Sequence, residues 1–206
     1  MDDAEARTVV DAVLRGDRDA FRVLVEREST TVVRACHRVL GDVRDAEDAA
    51  QESFVTAYRS LASWRGEGTF GAWMARIAVR VSLRQASRRR PVTWIDPIAA
   101  ESGDSAQART PADRASRSAL MAGALDAAGG QDPASLALRG EREVAVRAAV
   151  AGLDEPYREV VALRFFGDLS LAEIAAVSGR PLGTVKTHLH RGLGRLRDAL
   201  AAEATR

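Results

Sequence analysis

The sequence lacks the features that a disulfide-bonded, zinc-stabilised or membrane-spanning protein needs. Its only cysteine, Cys36, excludes an internal disulfide, and without a CxxC pair a cysteine-rich zinc site is also excluded. No uncharged run approaches the ~18 residues that span a bilayer, and residues 1–5 are acidic where a signal peptide would be basic. We therefore expect a cytoplasmic protein with no direct membrane insertion.

Neither sign of charge dominates, because 30 Lys and Arg residues oppose 29 Asp and Glu residues, for a net charge of +1. This balance, with 46% hydrophobic residues, is typical of a globular protein and excludes collagen and wholesale disorder. The charges are nevertheless segregated. Residues 76–90 contain six arginines and no acid, and residues 180–197 contain five Lys or Arg residues and no acid. Two separated cationic segments predict two contacts with a polyanion.

Proline is absent before Pro91, and apolar residues in this part of the chain recur three and four positions apart, which predicts helices. The predicted helices cover residues 5–15, 19–40, 45–61 and 70–90. Three prolines, a Gly-Gly pair and many Ala and Ser residues then indicate a long flexible linker over residues 91–131. Helical periodicity resumes near Pro133. The sequence thus predicts an all-α fold with two helical domains, residues 1–90 and 132–206, joined by the linker.

The second domain contains the pattern of a helix-turn-helix. Ser170 and Glu173 have the spacing of a capping box that opens a short helix over residues 171–177. A turn with Gly179 follows, and a helix from Leu182 turns Val185 and Leu189 inward. Its opposite face and the turn present groups that hydrogen-bond to phosphates and base edges: Arg180, Thr184, Lys186, Thr187, His188, His190 and Arg191. The alternative to DNA contact is a solvated basic face.

A strip of arginines runs along the fourth predicted helix. Arg76, Arg80, Arg84 and Arg88 advance by four residues each time, while Trp73, Ile77 and Val81 are expected to face inward. Like charges at this spacing repel, each pair by roughly 0.2–0.5 kcal/mol. Because the strip brings no local structural benefit, it favours a polyanion partner over an idle surface.

The residues that could act in catalysis or metal binding do not form the pattern of an enzyme active site. His188 and His190 point in different directions on a helix, and no nearby carboxylate or thiol completes a metal site. Cys36 and His37 lack an orienting third group, and there is no phosphate-binding loop. We expect no catalytic residue, metal, cofactor or small-molecule substrate.

Three segments of the first domain, Asp45-Ala46-Glu47-Asp48-Ala49-Ala50-Gln51-Glu52-Ser53-Phe54, Trp64-Arg65-Gly66-Glu67 and Phe70-Gly71-Ala72-Trp73-Met74, resemble region 2 of bacterial extracytoplasmic-function (ECF) sigma factors. Gly183-Thr184-Val185-Lys186-Thr187, with Glu173-Ile174-Ala175 before it, resembles region 4 of the same family. The resemblance implies an alternative sigma factor that binds core RNA polymerase through its largest and second-largest subunits. It also implies promoter DNA as a partner, with the first domain on the minus-10 element and the helix-turn-helix on the minus-35 element. An anti-sigma factor is a further partner that the family often has.

The resemblance also implies roles for particular residues. The helix that docks on the coiled coil of the largest polymerase subunit would carry Asp45, Asp48, Gln51, Glu52 and Phe54. Trp64, Arg65 and Glu67 fall in the loop that captures a flipped minus-10 base, although Trp64 could equally close the core. Arg80 and Arg84 stand where many members have Asn and Asp, and His188 stands where Arg is frequent, so base preference is left open.

Two other classes of protein share some of these features. A DNA-binding response regulator has a similar helix-turn-helix, but it also needs an α/β receiver domain, and residues 1–90 lack alternating strands and helices. A helical adaptor without a DNA role would show DNA affinity that does not respond to salt.

Overall fold

The computed structural model describes residues 3–89 and 133–204, and no β-strand occurs in these ranges. The predicted all-α fold class is therefore confirmed, while the predicted linker lies outside the described residues. The helices are α1 Asp3–Leu14, α2 Arg18–Leu40, α3 Val43–Ser60, α4 Phe70–Arg89, α5 Pro133–Ala151, α6 Tyr157–Phe165, α7 Leu171–Ser178 and α8 Leu182–Ala204, with a 3₁₀ turn Leu61–Ser63 after α3.

Short polar caps define where α2 and α3 begin. The Asp17 carboxylate accepts hydrogen bonds from the backbone amides of Asp19 and Ala20 at 3.1 and 3.2 Å. The Asp42 carboxylate does the same for Arg44 and Asp45, at 2.9 and 3.1 Å. Because an aspartate at this position satisfies amides that have no partner inside the helix, α3 starts at Val43, two residues before the predicted start.

The first four helices form one core. Helix α2 packs against α1, α3 and α4, and Leu24, Val32, Phe70 and Met74 are almost fully buried between them. Tyr58 of α3 lies outside this core: it is 42% exposed and meets the ring of Phe21 edge-on at 5.0 Å.

The last four helices form a second group in which α8 packs against α5, α6 and α7. The capping box of α7 is confirmed, since Ser170 Oγ accepts from the Glu173 amide at 3.2 Å and the Glu173 carboxylate accepts from the Ser170 amide at 2.9 Å. Gly179 ends the helix in the left-handed conformation, with φ of +67°. Val185 is fully buried, as predicted for the inward face of α8. These features form the predicted helix-turn-helix.

Gly192 lies where α8 passes close to α6. A Cβ atom there would come within 2.7 Å of the Val161 Cγ2 atom, and Val161 is itself fully buried. The close approach accounts for a glycine inside a helix, where glycine otherwise lowers stability by about 1 kcal/mol relative to alanine. Nothing in the structure requires the second glycine of this helix, Gly194, which has open space beside it.

We expect Gly192→Ala to lower the free energy of unfolding by about 1–3 kcal/mol, because the added methyl group overpacks the contact with Val161. Gly194→Ala is the matched control, and we expect it to raise stability by about 0.5–1 kcal/mol through helix propensity alone. Urea denaturation followed by circular dichroism measures both. Equal effects of the two substitutions would show that α6 and α8 do not pack this closely.

The two helical groups also contact each other. Helix α4 of the first group touches α5, α6 and α7 of the second. None of the described helices combines the length and the apolar character that crossing a membrane requires.

Candidate nucleic-acid interface

The helix-turn-helix presents a polar face on the outer side of α8. Lys186, Thr187, His190 and Arg191 are exposed, and Thr184 is half-buried. On a helical projection at 100° per residue, Thr187 and His190 lie at the centre of the exposed face, while Lys186 and Arg191 lie on its two flanks. Such a helix can enter a major groove with the central side chains on base edges.

His188 does not share this exposed face. Its ring is half-buried and meets the ring of Tyr157 edge-on, with 5.7 Å between centroids. Its Nδ1 atom is buried and has no hydrogen-bond partner among the described residues. The expectation that His188 points outward with the other polar residues of α8 is therefore wrong, because Tyr157 of α6 occupies the space beside it.

The loop before α4 is shaped by two glycines in the left-handed region. Gly66 has φ of +73° and Gly68 has φ of +82°, values that favour glycine. The Arg7 guanidinium of α1 donates a hydrogen bond to the Gly66 carbonyl at 2.9 Å, and the Thr69 hydroxyl accepts one from the Ala72 amide at 3.1 Å. These two hydrogen bonds fix the loop, and its other polar side chains, Arg65 and Glu67, are exposed.

Trp64 lies beneath this loop and not on its surface. It is buried, and its ring meets that of Phe70 edge-on at 5.3 Å. Of the two roles left open for Trp64, the structure shows that of a core residue. Trp73 is half-buried and packs on Phe70 at 5.5 Å, in agreement with an inward position.

The arginine strip of α4 has carboxylate partners inside the chain, so the expectation that it brings no local structural benefit is wrong. The Nε atoms of Arg76 and Arg80 each lie 3.1 Å from Glu159 Oε1. Arg84 Nη2 lies 2.6 Å from Glu52 Oε1. Arg76 also donates to the Val177 carbonyl. Three of the four arginines are therefore held by acidic groups, two of them by the second helical group.

Glu159 is a functional candidate that sequence reasoning missed. It is buried on α6, and its second oxygen accepts a hydrogen bond from Arg180 at 2.8 Å. Burial alone raises the pKa of its carboxyl, but the charges of Arg80 and Arg76 and hydrogen bonds from Arg180 and Arg76 outweigh it, so the pKa lies below its usual value. A signal existed in the sequence: Glu159 shares a helix face with the apolar Leu163 and Phe166, four and seven residues on.

A second surface lies on α3. Asp48, Gln51 and Glu52 are exposed on one side of this helix, and Asp45 and Phe54 beside them are half-buried. The structure adds Val55, which is 49% exposed and lies seven residues after Asp48 on the same face. An acidic surface with an exposed aliphatic group at its centre is suited to binding a protein that carries basic residues.

His37 of α2 lies at the contact between the two helical groups and makes their packing sensitive to pH. Burial is the main cause that lowers the pKa of its imidazole, and the positive charge of Arg147 lowers it further. The unfolded chain therefore binds more protons than the folded chain as pH falls through the ordinary histidine range near 6.5.

We expect the free energy of unfolding to decrease when the pH is lowered from about 7 to about 5.5, since protonation of His37 favours the unfolded chain in this window. Glu159, whose pKa lies below its usual value, loses its contribution only at lower pH. Urea denaturation at the two pH values measures the change. His37→Gln should reduce it, whereas His190→Gln, at an exposed histidine of α8, should leave it intact; the reverse pattern would contradict this assignment.

Within residues 3–89 and 133–204 there is no group of three or more His, Cys, Asp or Glu residues that could hold a metal ion. Cys36 is fully buried, and burial raises the pKa of its thiol.

Comparison with known proteins places both helical groups in one family. Residues 24–92 match the family model described as Sigma-70 region 2, and residues 143–196 match the one described as Sigma-70, region 4. Over 188 residues the chain is 31% identical to the ECF RNA polymerase sigma factor SigW of Bacillus subtilis strain 168, which covers 91% of this chain and 92% of SigW. Over 188 residues it is 33% identical to the ECF RNA polymerase sigma-E factor of Escherichia coli K12, which covers 90% of this chain and 88% of that protein.

Among solved structures, CnrH in complex with the cytosolic domain of CnrY matches with a TM-score of 0.54 at 23% identity, over 95% of this chain and 97% of that chain; this likeness concerns the fold alone. The sequence matches disagree with a response regulator or a helical adaptor, since both sigma regions occur in family order and the match to SigW spans 91% of this chain. The chain belongs to the ECF sigma factors of bacterial RNA polymerase.

Proposed function

We propose that this protein is an alternative sigma factor that binds core RNA polymerase and directs promoter-specific initiation of transcription. Residues 1–90 form the domain that docks on polymerase and engages the minus-10 element, residues 91–131 link the domains, and residues 132–206 form the domain that engages the minus-35 element. The observation that carries the proposal is a helix-turn-helix with an exposed polar face in a chain that matches both sigma regions.

The docking surface for polymerase is the exposed side of α3. Asp48 and Glu52 supply negative charge, Gln51 supplies hydrogen bonds, and Val55 supplies an apolar contact beside them. Asp45 and Phe54 are half-buried and border this face. Complementary charge speeds the encounter of two proteins and selects the partner.

The minus-10 surface joins the loop before α4 to the arginine strip. Arg65 and Glu67 are exposed on the loop and are placed for polar contacts with an extruded base, with Trp64 supporting the loop from the core. Arg76, Arg80, Arg84 and Arg88 supply guanidinium groups for the DNA backbone. Arg80 and Arg84 replace the Asn and Asp that are frequent in the family. Because guanidinium groups bind phosphates, this surface has a higher affinity for the DNA backbone, independent of base sequence.

The minus-35 surface is the exposed side of α8. Thr187 and His190 at its centre are placed for base edges, and Thr184, Lys186 and Arg191 surround them. Arg180 in the preceding turn extends the basic surface. His188 contributes by packing on Tyr157, which orients the helix.

This sigma factor has no catalytic activity of its own and works in the cytoplasm together with polymerase. Family membership adds an anti-sigma factor to the proposed partners. Run-off transcription with purified core polymerase on genomic promoter fragments tests partner, DNA specificity and activity together. We expect discrete new transcripts that core polymerase alone does not make. Binding to polymerase without any change in where transcripts begin would overturn the proposal.

A further inference from the structure

Three arginines from two separate elements converge on the buried carboxylate of Glu159. Arg76 and Arg80 of α4 each place Nε 3.1 Å from one oxygen, and Arg180 places Nη1 2.8 Å from the other. The Glu159 side chain is only 4% exposed, and those of Arg76, Arg180 and Arg80 are 23%, 28% and 59% exposed. Glu159 therefore joins the first helical group to the second through ion pairs that are partly shielded from water.

The same arginines belong to the two surfaces assigned above to promoter DNA. Guanidinium groups bind carboxylates and phosphates through the same hydrogen-bonding geometry. A carboxylate that already occupies Arg76, Arg80 and Arg180 therefore competes with DNA phosphates for them. The competition is intramolecular and is present whenever the two helical groups are together.

Further contacts support the same arrangement away from these arginines. Arg38 at the end of α2 donates to the Phe166 carbonyl at 3.4 Å and lies 3.8 Å from the Asp168 carboxylate. Arg147 of α5 donates to the Arg38 carbonyl at 3.2 Å. On the other side, a Cβ atom at Gly68 would lie 3.2 Å from the Ala176 Cβ atom, so α7 also covers the loop proposed for the minus-10 element.

The surface proposed for polymerase is open in this arrangement, because Asp48, Gln51 and Val55 remain exposed on α3. The exposed face of α8 is open as well. Separation of the two groups is sterically feasible, since the 43 residues from 90 to 132 between the described ranges could span at most roughly 150 Å if fully extended. Polymerase can thus bind before the groups separate, whereas Arg76 and Arg80 become free of Glu159 only afterwards.

We propose that Glu159 is an autoinhibitory latch: in the free protein it holds the two helical groups together and withholds Arg76 and Arg80 from promoter DNA until polymerase separates the groups. This inference rests on the DNA role proposed for these arginines. Opening requires Glu159 to give up two charged partners, Arg76 and Arg80, so the closed form is favoured in the absence of a competitor.

The test compares Glu159→Gln with Glu141→Gln, which changes the net charge equally at an exposed position on α5. Spin labels on cysteines introduced at the exposed residues Arg22 and Asp198 report the distance between the two groups, and native Cys36 is left in place because it is fully buried. A labelled random-sequence DNA duplex reports affinity, since guanidinium contacts with phosphates are independent of sequence. For the free protein we expect Glu159→Gln to lengthen the distances and to tighten DNA binding by about tenfold, as release of a closed form populated at about 90% would do.

A second variant opens the closed form without touching the latch or the DNA surfaces. Arg38→Ala removes a positive charge, which by itself weakens DNA binding, yet the inference predicts longer distances and tighter binding. It also keeps the test decisive if Glu159→Gln fails to fold by circular dichroism. Unchanged distances in the folded variants would overturn the latch. This result would not contradict the proposed function, because transcription directed by the wild-type protein would be unaffected. Longer distances with unchanged DNA affinity would overturn it through its premise, the DNA role of Arg76 and Arg80.

Discussion

Reversal of Asp48 and Glu52 to arginine is expected to weaken binding to core RNA polymerase by about tenfold or more, because placing like charges across an interface costs several kcal/mol and each ~1.4 kcal/mol is a factor of ten. Both carboxylates are exposed on α3, on the same face as the apolar Val55. The helix itself should persist, since its buried side is made of alanines and a serine that the substitutions leave intact. Co-purification and fluorescence titration with core polymerase measure the loss.

The matched control reverses Asp11 and Glu26 instead, which are exposed on α1 and α2 and give the same change of net charge. Asp48→Arg alone separates the docking effect from loss of the ion pair between Glu52 and Arg84, which is 2.6 Å long. Polymerase affinity that falls equally in the test and control variants would show a general charge effect. Wild-type affinity in the test variant would place the docking surface elsewhere.

The helices could be predicted because their signals are local. Absence of proline, recurrence of apolar residues and the Ser170 capping box each act within a few residues of the chain, and the structure reproduces them. The differences at helix ends have the same local origin: α3 starts two residues early because Asp42 caps it. The predicted boundaries of the two domains remain proposals.

The site was harder to predict because its contacts join residues that are distant in sequence. Arg76 and Glu159 are 83 positions apart and Arg38 and Phe166 are 128 apart, so no spacing rule brings them together. Periodicity correctly placed the arginines on one face of α4, but it could not show that an acidic residue of another helix lies opposite. Tyr58 and His188 illustrate the same limit, since the neighbours that decide their exposure come from α2 and α6.

For α8, the sequence predicted the exposed side chains better than the buried contacts with other helices. Lys186, Thr187, His190 and Arg191 are exposed as expected, because a 23-residue helix with Val185 buried has only one side left for solvent or DNA. The role of Gly192, in contrast, could not be predicted from the sequence of α8 alone, because it depends on the close approach of Val161 in α6. Surfaces that follow from one helix can be read from its sequence, whereas interfaces between helices cannot.

Substitution of Lys186 or Arg191 by alanine is expected to weaken binding of the polymerase holoenzyme to its minus-35 element by about 1–3 kcal/mol if the side chain makes a bidentate contact with a base. Both residues are exposed and lie on the flanks of the face centred on Thr187 and His190. A flank position can reach either a base edge or a phosphate. The two contacts differ in their response to sequence and to salt.

A base contact makes the loss depend on one base pair, so the variant should no longer discriminate at that position of the promoter. A phosphate contact weakens all sequences about uniformly and lowers the slope of affinity against salt by about 1. Fluorescence anisotropy of the holoenzyme on promoter variants at several salt concentrations separates these results. Arg197→Ala, at an exposed arginine farther along α8 and outside the proposed surface, is the matched control. If Lys186→Ala and Arg191→Ala both behaved like this control, α8 would not be the element that reads the promoter.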